Sequence, residues 1–483
     1  MTEVTSTAAQ SAQSAQAAQA QTQPDPNSEA EINRRKTKKS LPALLTIFLL
    51  GTLMVQAFNL VFQNVGDSLG MSANAALIST LPGIVLGVVC MLYGTLCDFI
   101  SPKKMTLFGV FALIFGSLLG FFGSFNFWIV LVARIIQTAG GQVAGSVFLV
   151  MAMKYLNNKE RAFYLGMFNA VYYASSAVGV FAGGLIASID WKYLLLVPLL
   201  SVFFIPLIIK DTPDISGKGD RIDIFGISLF AVVAGLVAIY FSFPSGWILG
   251  LLALFVLAFA AYVWKGKNPF LSKRFLTNKG YMSVLLALFV FYFFNFACVP
   301  IYNVIGDQIY HISLSQVSLC LTVVYIVATL VGCISGAIIA ALGRVRMLVL
   351  SAVLMIIGAV GSAVLITSGF WLLTFMACIF IAGITMSYTP LYDSFSVTLP
   401  QDENGRGVGI GDLMMNTSAS IGMAVYSGLM ANKGFGSRGF FGVSAGSAAQ
   451  ASNMFLVMGA AAVVALLIVG VVHKHLSRQQ AAQ

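Results

Sequence analysis

Residues 42–63 read PALLTIFLLGTLMVQAFNLVFQ, an uncharged, largely apolar run of the length that an α-helix needs to cross a lipid bilayer. Comparable runs recur to the end of the chain and are continuous, whereas the strands of a membrane barrel alternate apolar and polar residues. Apolar residues make up 58% of the 483 residues and charged residues only 9%, against roughly a quarter in soluble proteins. Because backbone groups in lipid must be hydrogen-bonded within helices or closed barrels, the sequence predicts an all-α membrane protein.

The apolar runs predict fourteen membrane-spanning helices. Their positions are 42–63, 74–97, 105–123, 127–153, 163–188, 192–209, 224–243, 246–264, 281–303, 315–341, 346–367, 370–397, 408–430 and 453–473.

The Lys and Arg residues are divided unequally between the two sides of this arrangement. With a cytoplasmic N-terminus, all but four of the 27 Lys and Arg residues fall in cytoplasmic segments. The four are Arg134, within a span, and Lys192, Lys433 and Arg438 on the other side. This is the positive-inside pattern, so we expect both termini in the cytoplasm. The net charge of +10 is then explained by topology, and no nucleic-acid partner is expected.

Similar segments recur at an offset of roughly 240 residues, which is the mark of an internal repeat. Asn64-Val65-Gly66-Asp67 is echoed by residues 303–307, the loop opened by Gly94 is echoed by one opened by Gly336, and Glu160-Arg161 is echoed by residues 403–406. The offset predicts two six-helix bundles joined by a two-helix insert. The expected divisions are a disordered tail at 1–40, bundles at 41–211 and 280–475, the insert with its loops at 212–279, and a tail at 476–483.

The loop after the second span reads GTLCDFISPKK at residues 94–104 and resembles the signature G-x-L-x-D-x-x-G-x-R/K of the major facilitator superfamily. The resemblance implies a cytoplasmic gate formed by Gly94, Asp98, Lys103 and Lys104. The glycine would let two helices approach, and the aspartate would pair with a neighbouring helix end or a basic residue. Ser101 replaces the final glycine of the signature. The alternative is a solvated loop whose charges only mark the cytoplasmic side.

Two further motifs indicate which family within the superfamily the chain resembles. Arg134-x-x-Gln137 in the fourth span is similar to the family's R-x-x-Q-G-x-G, and residues 179–184 in the fifth are similar to the antiporter motif G-P-x-x-G-G. The glycines of the latter are Gly179, Gly183 and Gly184, and Val180 replaces the proline. Over residues 42–475 the chain resembles the fourteen-helix drug:proton antiporter family, especially its Gram-positive tetracycline-efflux branch.

This resemblance implies the major facilitator fold, proton-coupled drug efflux and a place in the bacterial plasma membrane. The sequence also differs from the tetracycline-efflux branch at positions important to that branch. Three acids of the tetracycline-efflux branch align with Phe58, Ala340 and Ala419 here. Tetracycline is therefore not the expected substrate, and proton coupling must depend on other residues.

Ionisable side chains at membrane depth are costly and point to function. Asp393 in the twelfth span and Asp412 in the thirteenth are the candidates for proton coupling, because desolvation favours the neutral form of a carboxyl group and lets it alternate between two protonation states. The alternative is that both carboxylates reach the interface or cap a loop, bonded to backbone and Arg406. Arg134 is permanently charged, so it can bind an anion or a carbonyl group but cannot relay protons.

Polar residues recur at helical spacing within several apolar spans and must face protein or water. They are the candidates for the substrate cavity, with hydrogen bonding between helices as the alternative role. The polar candidates are Gln56, Asn59, Gln63, Asn169, Tyr172, Asn295, Tyr302 and Asn416, and the aromatic Tyr388 is added to them.

Several function classes are disfavoured. No phosphate-binding loop G-x-x-x-x-G-K-[ST] occurs, so a primary pump is not expected. The three histidines lie in loops or the tail, and the six cysteines have no metal-like spacing, so neither an enzyme nor a metal site is expected. A receptor that shares the fold without transporting remains open.

We therefore expect a secondary transporter, working as a monomer without a bound cofactor, whose partners are a small-molecule substrate, protons and the lipid bilayer. Proton-coupled efflux of lipophilic or amphipathic molecules is the first hypothesis. The alternative is a facilitator or proton symporter for a small metabolite or organic anion.

Overall fold

The computed structural model describes residues 29–96, 100–156, 158–214, 223–266, 276–399 and 404–480, in which helices are the only regular elements. The helices that correspond to the predicted spans are α1 (Glu29–Ser68), α2 (Leu77–Leu96), α3 (Pro102–Phe122), α4 (Phe127–Tyr155), α5 (Asn158–Asp190), α6 (Trp191–Phe204 and Ile205–Asp211), α7 (Ile224–Ser242), α8 (Gly246–Lys265), α9 (Lys279–Tyr292 and Cys298–Gln308), α10 (Leu314–Leu342), α11 (Arg344–Val364), α12 (Phe370–Thr398), α13 (Asn404–Ala431) and α14 (Ser447–Gln480).

The described residues contain 11 stretches that are long and apolar enough to cross a membrane. One of them, Ala170–Asp211, holds most of α5 together with α6. The two segments of α9 are each short, and α13 is rich in Gly, Asn and Ser, so neither helix is among the 11. When these helices are included, the chain has the predicted fourteen-helix membrane fold.

The two bundles repeat the same packing. In the first, α1 packs against α4, α5 and α6, and α3 packs against α4 and α6. In the second, α9 packs against α12, α13 and α14, and α11 packs against α12 and α14. Each of these helices of the second bundle therefore has the same packing partners as the helix numbered eight lower has in the first bundle. This confirms two six-helix bundles plus two additional helices, while the residue boundaries of the divisions stay a prediction.

The bundles meet along two seams, α2 against α13 and α5 against α10. The internal repeat exchanges these two seams, because it relates α2 to α10 and α5 to α13. The two inserted helices break this symmetry. α7 packs against both α2 and α13, and α8 packs on α7. Ala234 and Ala238 of α7 form a buried apolar cluster with Ile84 and Ala424, one from each side of the first seam.

The ninth span is not the continuous helix that the sequence predicts. It is interrupted at residues 293–297. There Asn295 N–H donates to the carbonyl oxygen of Tyr292, three residues earlier, at 2.9 Å, whereas an α-helical bond would join residues four apart. Pro300 has no N–H for the carbonyl group four residues before it, which removes one α-helical hydrogen bond at this interruption. A broken helix near mid-membrane is where many transporters bind their substrates.

The sixth span also differs from a regular α-helix, because its residues Trp191–Phe204 form a 3₁₀-helix. Its first turn is fixed by Asp190, whose carboxylate accepts a hydrogen bond from Lys192 N–H at 3.0 Å. Pro198 lies inside this segment and lacks a donor, which weakens any regular helical ladder there.

The N-terminal tail is ordered earlier than predicted. α1 begins at Glu29, although residues up to 40 were expected to be disordered. The extension is held by Glu160 of α5, whose carboxylate accepts two hydrogen bonds from Arg34, at 2.6 and 2.9 Å, and pairs with Lys38. These bonds lower the pKa of Glu160 to about 2. We call this end of the molecule, which carries the exposed Arg35, Lys36 and Lys39, the basic end.

Candidate functional site

Polar side chains from both bundles meet at the centre of the molecule. Gln56 and Asn59 of α1 are buried, and the Asn59 amide donates to Gln56 Oε1 at 3.5 Å. Tyr325 of α10 donates its hydroxyl to the same oxygen at 3.4 Å. Since α1 and α10 belong to different bundles, this cluster connects the two halves at the place where the sequence predicts the cavity.

A cavity of about 30 Å³ lies beside this cluster. Its polar lining includes Gln56, Thr138, Gln142 and Tyr172, while Phe296, at the interruption of α9, contributes an apolar wall. The hydroxyl oxygen of Thr138 is buried and has no hydrogen-bond partner among the described residues. A space of this size can hold about one or two water molecules, and its lining offers them several partners.

Asp412 lies on the second-bundle side of the centre. Its carboxylate accepts a hydrogen bond from the hydroxyl of Tyr392, whose ring stacks on that of Tyr388 with centroids 4.2 Å apart. Asp412 is also close enough to Cys90 of α2 and Tyr172 of α5 to interact with them electrostatically. The carboxylate therefore stands among aromatic side chains at the junction of the two bundles.

Asn416 supports this pocket from the next turn of α13. Its side-chain amide donates to the backbone oxygen of Asp412 at 2.9 Å. Its Cβ lies against Gly87 of α2, where an added methyl group would come within 3.0 Å. Asn416 is thus a seam residue as well as a neighbour of the carboxylate.

The second candidate acid has a different environment. Asp393 is paired with Arg344 at the start of α11, and 41% of its side chain is exposed. Both residues belong to the second bundle, so the pair does not cross a seam. This arrangement favours the structural role over proton coupling for Asp393.

Arg134 is buried inside the first bundle, at 1% exposure. Its guanidinium donates to Gln137 and, at 3.4 Å, to the backbone oxygen of Met54, and it stands 4.2 Å from the centre of the Phe58 ring. Gln137 in turn donates to Ser117 of α3 at 2.9 Å. The Arg134–Gln137 motif therefore ties α4 to α1 and α3. Phe58, which aligns with an acid of the tetracycline-efflux branch, meets the cation with its aromatic face.

The antiporter-like motif lies where helices cross closely. A methyl group at Gly179 would come within 2.5 Å of the Leu53 carbonyl oxygen, and one at Gly183 within 3.0 Å of Ala57 Cα. Gly184 faces the other bundle, where a methyl group would meet Ser318 Oγ of α10 at 2.0 Å. The first two glycines let α5 pack on α1, and the third closes the α5/α10 seam.

The end of the molecule opposite the basic end is closed by contacts between bundles. Asn303 of α9 donates its amide to the Leu60 carbonyl oxygen at 2.9 Å and to Asn64 Oδ1 at 3.3 Å. Together with the Gly184–Ser318 contact, these bonds join the two halves on that side.

The predicted gate is only partly within the described residues. Asp98 lies outside them, and Gly94 is described only by its place in the last turn of α2. Lys103 and Lys104 lie in the first turn of α3, and Ser101 caps that helix by accepting a hydrogen bond from Lys104 N–H at 3.4 Å. Ser101 therefore has a local structural reason to replace the glycine of the signature.

The remaining cavity candidates do not all converge. Tyr302 is buried within the second bundle, where its hydroxyl lies 3.3 Å from Ser362 Oγ. Gln63 donates to Asp67 at 3.0 Å, near the opposite end. Asn295 lies in the interruption of α9, and the side chain of Asn169 is outside the described part.

Sequence reasoning missed the partners that complete the site. They are Cys90, Thr138, Gln142, Tyr325 and Tyr392. The spacing of Tyr388 and Tyr392, four residues apart on one helix face, was the available signal.

Curated relatives of this chain share about a quarter of their residues with it over the matched segments. The methylenomycin A resistance protein of Bacillus subtilis (strain 168) is 27% identical over 267 residues, which are 52% of this chain and 56% of that protein. The chain thus matches little more than half the length of that relative. The multidrug resistance protein fnx1 of Schizosaccharomyces pombe is 24% identical over 437 residues, 82% of this chain and 80% of that protein.

Solved structures share the fold at low sequence identity. A POT family transporter in complex with a thioalcohol-conjugated peptide has a TM-score of 0.65 and 13% identity, covering 90% of this chain and 96% of that one. A D-xylose-proton symporter has a TM-score of 0.63 and 12% identity, covering 88% and 96%. The sequence profile of the Major Facilitator Superfamily matches residues 44–223 and 284–482, on either side of α7 and α8. This chain is a transporter that belongs to the Major Facilitator Superfamily.

Proposed function

We propose that this transporter exports lipophilic or amphipathic small molecules, cations among them, in exchange for protons. The observation that carries the proposal is the Asp412 carboxylate, which accepts a hydrogen bond from Tyr392 within a group of tyrosines at the meeting point of α2, α5, α12 and α13. Several relatives are named for resistance to methylenomycin, puromycin or multiple drugs.

The chemistry of exchange follows from competition for one carboxylate. Ionised Asp412 attracts a substrate cation, and the faces of Tyr388 and Tyr392 add cation–π attraction. A proton that binds the carboxylate removes this attraction and releases the substrate. If the two events occur with the cavity open to opposite sides, each cycle moves substrate one way and protons the other. The proton gradient supplies the energy, and no bound cofactor is needed.

The proposal includes a bacterial plasma-membrane location, cytoplasmic termini and a monomeric transporter. The basic end would then face the cytoplasm, in keeping with the positive-inside rule.

Proton movement across the membrane of proteoliposomes tests the coupling assignment. An internal pH dye reports the loss of internal protons when a substrate such as tetraphenylphosphonium is added outside and enters in exchange. We expect Asp412→Asn to abolish substrate-driven flux and Asp393→Asn to retain it, because Asp393 is paired with Arg344 away from the seams. Flux that persists in Asp412→Asn and disappears in Asp393→Asn would reverse the assignment.

The alternative is a facilitator or proton symporter for a small metabolite or organic anion. It is favoured by Arg134, a buried cation whose contacts with Gln137, Met54 and Phe58 include no carboxylate. Substrate movement without any proton flux in the same vesicles, abolished by Arg134→Gln, would support this alternative.

A further inference from the structure

The two seams between the bundles are equivalent by the internal repeat, but they differ in what covers them. The α2/α13 seam is covered by α7, whose Phe241 also packs on Gly428 of α13. Among the described helices, α5 and α10 pack extensively only against each other and against helices of their own bundles. The α5/α10 seam is therefore directly exposed to the bilayer.

The two helices that border this seam have apolar outer faces suited to lipid. Leu330 and Ile334 of α10, on the face opposite Gly332, are 62% and 54% exposed, and Val178 and Leu185 of α5 are 45% and 42% exposed. A molecule dissolved in the acyl chains therefore meets apolar surface on both helices of the seam.

Among the described residues, the contact between α10 and α5 ends within one helical turn. At Gly332 an added methyl group would lie 3.3 Å from the ring of Tyr173, so α10 and α5 are in contact there. Gly336 lies one turn further along the same face, towards the basic end, and a methyl group there would meet no described atom within 4 Å. Gly336 and the next residue on that face, Ala340, are both exposed.

The closed side of this transition leads to the candidate site. The Tyr173 ring packs edge to face against Tyr172, with centroids 5.3 Å apart. Tyr172 lines the central cavity together with Gln56 and is within electrostatic reach of Asp412. Movement of the Tyr173 ring away from Gly332 would thus connect the bilayer with the cavity.

We propose that the α5/α10 seam, between Tyr173 and Gly336, is a lateral portal that admits lipophilic substrates to the central cavity from the bilayer leaflet at the basic end. The opposite leaflet is excluded by the Gly184–Ser318 contact. α7 closes the equivalent route at the other seam. This inference rests on the proposed function, because it concerns how a lipophilic substrate reaches the site.

A bulky residue at the open part of the seam should block this route. Gly336→Trp places a large side chain where the structure has space, so the fold should tolerate it. Gly250→Trp on α8 is the matched control, since that helical glycine is also exposed and free of neighbours within 4 Å. The probes are alkyltriphenylphosphonium cations in proteoliposomes, which keep the same charge while their partition into lipid rises with chain length.

We expect Gly336→Trp to reduce transport of the decyl compound by about fivefold or more, because a gate on the access route limits the rate, and to change transport of the methyl compound less than about twofold. Gly250→Trp should leave both unchanged. Equal losses for the two compounds, or no loss in Gly336→Trp, would overturn the portal.

A second measurement tests whether the portal is open to lipid and does not require a transport assay. In a variant with all six cysteines replaced, a bimane label at Gly336→Cys should be quenched by lipids with brominated acyl chains, as should a label at Leu330→Cys. A label at Asp67→Cys, exposed at the opposite end, should not be quenched. Quenching at 336 as weak as at 67 would overturn the portal. If the native protein moves none of the phosphonium cations, the proposed function fails while the quenching result still decides the geometry.

Discussion

At the scale of single residues, three charged side chains of the helices are each stabilised in a different way. Arg134 is held by carbonyl oxygens and an aromatic face, Asp393 by a basic partner, and Asp412 by a tyrosine hydroxyl. A charge without a fixed counter-ion keeps the ability to change partners or protonation state. That distinction, which depends on side-chain placement, separates Asp412 from Asp393.

The contact between Arg134 and Phe58 should contribute measurably to stability. A desolvated cation–π pair is worth about 2 kcal/mol, so we expect Phe58→Leu to lower the free energy of unfolding by roughly that amount. Phe58→Tyr keeps the ring face and should have a much smaller effect. The midpoint of thermal unfolding in detergent measures both. Equal losses in the two variants would show that packing, and not the ring, stabilises the arginine.

Glu160 should stabilise the fold at neutral pH and lose this effect in acid. Its pKa is lowered in the folded protein to about 2, so the contribution is complete above the ordinary value near 4.5 and disappears as the pH falls towards 2. Because its partners are partly exposed, we expect only about 1 kcal/mol.

The difference in stability between the native protein and Glu160→Gln should therefore be constant from pH 8 to 5 and shrink below that. Unfolding by denaturant at several pH values measures it. A difference that changes between pH 8 and 6 would contradict the assignment and would make Glu160 a pH sensor.

At the scale of helices, the number and order of the spans were predictable because apolar length and the distribution of Lys and Arg are properties of the sequence itself. The interruption of α9 was not. Its cause is partly a contact with α13, where Gly422 lies so close that an added methyl group would be 1.5 Å from the Phe293 carbonyl oxygen. Contacts between distant segments leave no periodic signal. The same reason explains why Tyr325 was missed as the partner of Gln56.

The interruption of α9 should therefore depend on Gly422. We expect Gly422→Ala to cost about 3 kcal/mol or more, because backbone atoms of two helices would have to separate. Gly470→Ala on α14 is the matched control, since nothing lies within 4 Å of its added methyl group. Monodispersity and the thermal midpoint in detergent report the difference, and unchanged behaviour of Gly422→Ala would show that α9 can shift at little cost.

At the scale of the whole molecule, the internal repeat gives two similar bundles, and the differences between them locate function. The acid and its tyrosines lie in the second bundle, the buried arginine in the first, and the inserted helices cover one seam of two. Alternating access requires the contacts between bundles to break on one side while they form on the other. Asn303 supplies the hydrogen bonds on the side opposite the basic end, so it should set the balance between the two states.

Removing those bonds should shift the molecule towards opening at that end. Two hydrogen bonds contribute about 1–2 kcal/mol together, so Asn303→Ala should change the ratio of the two states by about tenfold. Spin labels at Asp67 and Asp307, which are exposed at the ends of α1 and α9, would report a longer distance.

Tyr310→Phe is the control, because its hydroxyl bonds to the Ile366 carbonyl oxygen within the second bundle. It should lower stability without changing the distance. If both variants lengthen it, the shift reflects general loosening; if Asn303→Ala does not, other contacts hold that end closed.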